Sequence, residues 1–284
     1  MKKQQVIVAV SGVIILVIFY FFGNTVPQLK KSTASVQAET PTQSLDIKTI
    51  LDASRAKLSP EHQSYVSRLE NSVVRGNILD QKIEADRQLA GFWKDSVENG
   101  FLPYAFYNGE AAKLENSEKS LTFAAQLFLN NLRGQENPAI KNWMAVESRD
   151  LFERAEKLNP GNDSTKIGLG ATYIFGSTAA EPQEVMKGIQ KILEVTRRDS
   201  LNMYAQLMLG LGGIESGQYD KAILRLLKVV HYDPGNLEAV LSLGDAYERT
   251  GDNASAKTWY AAAKKMTSNH ELIEAINERL GSLK

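Results

Sequence analysis

Three histidines, His62, His231 and His270, are the side chains in this sequence best suited to proton transfer or metal ligation. They fall in separate stretches, and no two stand at the spacing that places paired ligands on one helix face. The chain has no cysteine, which removes disulfides, thiolate metal sites and a cysteine nucleophile together. Two glycine-rich strings, IGLGATY (167–173) and LGLGG (209–213), invite a phosphate-loop reading. They lack GK[ST] and follow no strand-like segment, and close helix–helix contact accounts for them. Trp93, Trp143 and Trp259 read as core or interhelix anchors rather than a ligand cage. Acidic residues occur everywhere, as solvated helix faces require, with no paired acid and base. No catalytic, cofactor-binding or metal-ligating residue is therefore assigned, and the chain reads as a non-enzyme. An enzyme built on residues 46–135 would need convergent carboxylates there, and no such constellation is visible. Lys plus Arg (33) balance Asp plus Glu (33) over 284 residues, so no basic footprint for a nucleic-acid backbone exists.

The elements that would position a site begin with an apolar N-terminus. MKKQQ is followed by 18 uncharged residues, 6–23, ending in Tyr20, Phe21 and Phe22. As a helix rising ~1.5 Å per residue this stretch spans roughly 27 Å, close to a bilayer's hydrocarbon thickness, and it is read as an uncleaved single-pass anchor. A secretory signal peptide is the competing reading, but its small-residue site would be VQA at 36–38, beyond Lys30 and Lys31. Lys2 and Lys3 at the N-terminal edge favour a cytoplasmic N-terminus. The expected location is thus a bacterial inner membrane, with the remaining chain periplasmic. Residues 24–44 are polar and rich in Ser, Thr and Gln, which suits a flexible linker.

From Leu45 onward apolar residues recur every three and four positions, so the fold class is all-α, with about thirteen helices by the period rule. Ser59-Pro60 marks one helix start, and Ser268 with Glu271 has capping-box spacing before another. A shift of 34 residues superposes Asn202/Asn236, Ala205/Ala239, Leu207/Leu241, Leu209/Leu243, Gly210/Gly244, Gly217/Gly251 and Ala222/Ala256. Geometry demands these residue types. Asn caps a helix, Gly217 and Gly251 end a helix in a left-handed conformation, and the remaining Gly and Ala allow close approach.

This pattern resembles the tetratricopeptide repeat family. Residues 203–236 carry Leu209-Gly210, Gly217, Tyr219, Ala222 and Pro234, with Gly213 where the family has an aromatic. Residues 237–267 carry Leu243-Gly244, Tyr247, Gly251, Ala256, Tyr260 and Ala263, with Ser268 in place of Pro. A third copy, 162–202, has Leu169-Gly170 and Tyr173 and an insertion at 177–184. Residues 116–161 read as a degenerate copy, 45–115 as an N-terminal helical region and 268–284 as a capping helix. The resemblance implies a right-handed α-solenoid of helical hairpins following the membrane helix.

In that family the first helix of each repeat lines an inner groove. The corresponding positions here are Ile167, Ala171 and Ile174 with Phe175; Tyr204, Leu207 and Leu211 with Met208; and Glu238, Leu241, Asp245 and Glu248 with Arg249. The groove would run from apolar to charged, and either the chain's own helices cover its apolar half or a peptide or helix occupies it. The Lys and Asn with which some relatives grip a C-terminal carboxylate are missing. The expected function is a membrane-anchored interaction scaffold or chaperone-like adaptor for a protein or peptide partner. Self-association into a homo-oligomer is the alternative.

Overall fold

The computed structural model describes residues 45–75, 78–98, 100–177 and 181–283. The expected membrane span at 6–23 and linker at 24–44 lie outside the described residues. Among the described ones, no helix is long and apolar enough to cross a membrane.

These residues form thirteen helices and no strand. They are α1 (Ile47–Ala56), α2 (Pro60–Arg75), α3 (Leu79–Asp95), α4 (Phe101–Glu115), α5 (Glu118–Leu132), α6 (Pro138–Leu158) and α7 (Asp163–Gly176). There follow α8 (Pro182–Arg198), α9 (Met203–Glu215), α10 (Tyr219–Tyr232), α11 (Leu237–Thr250), α12 (Asn253–Met266) and α13 (His270–Ser282). Side-chain caps set the starts. Asn202 Oδ1 accepts from Ala205 N at 3.0 Å, and Asn236 Oδ1 accepts from Ala239 N at 2.9 Å. Each such cap satisfies an amide that would otherwise lack a partner, worth about 1 kcal/mol. Gly217 (φ 72°) and Gly251 (φ 82°) take the left-handed conformation expected of them where α9 and α11 end. The capping box expected at Ser268 and Glu271 is not what forms. The cap falls one residue later, with Asn269 Oδ1 accepting from Leu272 N at 3.0 Å. Asn and Ser cap comparably well, and the helix that results buries Ile276 at 2% exposure.

Consecutive helices pair as antiparallel hairpins, α3/α4, α5/α6, α7/α8, α9/α10 and α11/α12, with α13 against α12. Within the last four hairpins the first helices also touch one another in order, α5 to α7 to α9 to α11. Missing side chains make this closeness possible. A Cβ on Gly170 of α7 would stand 2.8 Å from Gly188 O of α8 and 2.6 Å from the Ile192 side chain. One continuous core runs from α4 through α11 and includes Phe128 and Phe152, each with no exposed surface. Burying such a ring contributes roughly 2–3 kcal/mol. A second core joins α1 to α4 around Trp93 and Leu89, and a third seats α13 on α11 and α12 through Tyr260 and Ile276.

Candidate functional site

The first helices of the hairpins carry the groove positions read from sequence, and most of those side chains are inside. Ile167, Ala171, Ile174 and Phe175 on α7 and Leu207, Met208 and Leu211 on α9 are all buried. Tyr204 and Leu241 are half-buried, and Arg249 is exposed. Two bonds reach across this face. Tyr204 donates its hydroxyl proton to Gln126 Oε1 of α5 (3.3 Å), although the two are 78 residues apart. Arg133, at the end of α5, pairs with Glu238 of α11 (2.7 Å) across 105 residues and sits over the Phe175 ring at 5.2 Å. Hairpins so distant in sequence meet only if the ladder bends toward its first-helix side. The α7 and α9 side chains themselves are covered by the helices packed beside them.

The charged end is occupied too. Arg279 of α13 pairs with Asp245 at 2.6 Å and donates to the Tyr260 hydroxyl at 2.9 Å. That hydroxyl lies 2.6 Å from Asp245 Oδ1 and 2.7 Å from Glu248 Oε2. Burial first, then the two carboxylates, push the Tyr260 phenol upward, so it remains a hydrogen-bond donor. Of the groove residues on α11, Asp245 and Glu248 are therefore committed to holding the terminal helix.

An open concavity begins at Ile174 and Phe175 and lies at the edge of the ladder where each first helix turns into its second. It is a cleft of about 570 Å³ beside the α7–α8 connection. Ile174 and Phe175 at the end of α7 and Val185, Met186 and Ile189 at the start of α8 give it apolar walls. Arg133 and Lys141 line it from the α5/α6 hairpin, and Glu215, Ser216 and Gln218 from the α9/α10 turn. Ser177 Oγ, also lining the cleft, is buried without a hydrogen-bond partner. Met186 is 50% exposed there. Sequence reading registered the insertion but not the cleft; the available signal was apolar Val185, Met186 and Ile189 in the turns directly after it.

The remaining reactive groups are dispersed. His62, His231 and His270 lie exposed on α2, α10 and α13, and the described residues hold no cluster of three or more His, Asp or Glu able to ligate a metal. Trp93 and Trp143 are buried in the cores and Trp259 is half-buried. One acid went unnoticed in the sequence. Asp86 of α3 is 2% exposed, and burial, then the Glu110 carboxylate, push its carboxyl from 3.8 to about 7. Nearby, Lys113 is held at 2.8 Å from Glu147 and 2.9 Å from Glu110. Burial alone would lower the Lys113 ammonium, but these two carboxylates outweigh it and raise it. The cluster ties α4 to α6.

Residues 214–276, from the end of α9 into α13, match the family model of the tetratricopeptide repeat. No curated protein matches the chain significantly. Among solved structures the chain is similar to YrrB, a TPR protein with an unusual peptide-binding site, at 15% identity over 74% of this chain and 97% of that one (TM-score 0.41). It is similar to the MamA protein at 17% identity over 65% and 91% of the two chains (TM-score 0.41). A tetratricopeptide repeat protein from Parabacteroides merdae is similar at 14% identity over 78% and 86% (TM-score 0.42).

Proposed function

We propose that this chain is a tetratricopeptide-type docking scaffold from residue 116 onward, and that it binds a peptide or protein segment without covalent chemistry. What supports this is the ladder α5–α7–α9–α11, a stack of hairpins in one register whose edge leaves an apolar cleft with charged rims. The matched segment 214–276 lies within that ladder and its terminal helix. Residues 6–23 anchor the scaffold in a bacterial inner membrane as a single pass, with the hairpins on the periplasmic side. The support for that placement is the 18-residue uncharged run behind Lys2 and Lys3.

In-cell crosslinking of the full chain, followed by identification of what is captured, tests the scaffold. Recovery of a distinct protein is expected, and recovery of this chain alone would favour self-association. That second reading draws on exposed Leu201, Leu224 and Tyr232 (52%, 70% and 54%) at and beside α10. Light scattering of the detergent-solubilised full chain distinguishes them, since a monomer removes the homo-oligomer. A reporter that works only outside the cytoplasm, fused after Lys284, is expected to be active; activity of a cytoplasm-only reporter would overturn the placement.

A further inference from the structure

We infer that the cleft beside the α7–α8 connection is a docking site for an extended peptide with one bulky apolar side chain between a carboxylate and a cation. The inference rests on the scaffold reading and adds the partner's chemistry. Ile174, Phe175, Val185, Met186 and Ile189 offer an apolar side chain a pocket that water otherwise fills. The rims carry charges of which two are unpaired. Arg133 is already held by Glu238, but the Lys141 ammonium has no carboxylate within ion-pair reach among the described residues. Glu215 likewise has no cation there. These two lining residues belong to the hairpins on either side of α7/α8, Lys141 in the first turn of α6 and Glu215 closing α9, and they do not pair with each other. A ligand lying across the α7/α8 edge therefore meets a cation at one end and a carboxylate at the other, the complement of an acidic–apolar–basic segment.

Ser177 supplies the independent sign. Its buried hydroxyl lacks a hydrogen-bond partner, which a peptide backbone entering the cleft would supply. A single free ammonium suits a side-chain carboxylate and lacks the convergent donors that a chain terminus would need. A cleft of about 570 Å³ accommodates a few residues. Affinity in the micromolar range is expected for so small a contact.

A phage-displayed random peptide library panned on the detergent-solubilised full chain tests this. The expected result is enrichment of peptides with an apolar residue between an acidic and a basic one. Met186→Arg, at a half-exposed position, fills the cleft and should abolish enrichment, whereas Leu224→Arg, outside the cleft, should leave it intact. Lys141→Glu should bind the selected peptides at least ~10-fold more weakly and select basic residues in place of acidic ones. A glutamate in a first helical turn favours the helix dipole, so this variant keeps the fold, as circular dichroism would verify. No enrichment, enrichment unaffected by Met186→Arg, or a charge preference blind to Lys141→Glu overturns the site. If in-cell crosslinks nevertheless capture a partner elsewhere on the hairpins, the scaffold stands without this cleft; if both fail, the scaffold falls too.

Discussion

Asp86 shows how a single residue's setting can be measured. Because burial raises its carboxyl from 3.8 to about 7, the fold prefers the protonated form. Its stabilising contribution is full below the unfolded value of 3.8 and is lost as pH rises through 7. Asp86→Asn should therefore stabilise the protein at pH 8 by roughly 1–3 kcal/mol and change it little at pH 4, read by urea unfolding at both. A destabilisation equal at both pH values would mean that the carboxylate is charged and partnered in the fold. The residue was legible in part: Ile83, Asp86, Ala90 and Trp93 share the apolar stripe of α3, which places an acid among core positions. Whether an acid on a stripe is enclosed or reaches water depends on neighbouring helices, and one helix's pattern holds no record of them. Leu211 marks the same boundary. Sequence placed it on a groove, open or covered; with no exposed surface, it should not tolerate Asp. Leu211→Asp is expected to cost more than about 4 kcal/mol and to melt the repeats, seen as loss of helical ellipticity. Retained helicity would mean that the face is open.

Helices and hairpins are the scale at which sequence spoke most clearly, because caps and turns are decided by one or two residues. Asn202, Asn236, Gly217 and Gly251 stand where their chemistry places them. Asn236→Ala should lower stability by about 1 kcal/mol through its lost bond to Ala239 N. At Gly251, φ 82° makes Gly251→Ala cost about 1 kcal/mol in chemical denaturation, although no atom stands in the way of the methyl group. Gly170→Ala differs in kind. Its Cβ would meet backbone 2.8 Å away, so α7 and α8 must separate, at a cost of roughly 1–3 kcal/mol. A neutral result at Gly170 would show that the two helices are not in contact there. The start of α13 lies one residue beyond the sequence expectation because Ser268 and Asn269 are both good caps and local chemistry does not rank them.

At the scale of the described residues 45–283, the hairpin order was legible and the bend was not. The 34-residue period identifies a stack, but the approach of α5 to α11 is the sum of small angles at every hairpin interface, none of which a repeat pattern encodes. The buried α7 and α9 positions leave the edge cleft as the docking surface proposed above, so the functional reading turns on this bend. The chain contains no cysteine, which allows a clean measurement. Cysteines replacing Arg133 and Glu238, whose side chains meet at 2.7 Å across 105 residues, report on the bend directly. In the full-length double variant a short bismaleimide should link them rapidly within one monomer, while an Arg133→Cys, Leu224→Cys control pair should not link. Failure of the 133–238 pair to link, with both thiols reactive, would mean that the ladder does not bend back on itself and that its inner face is open.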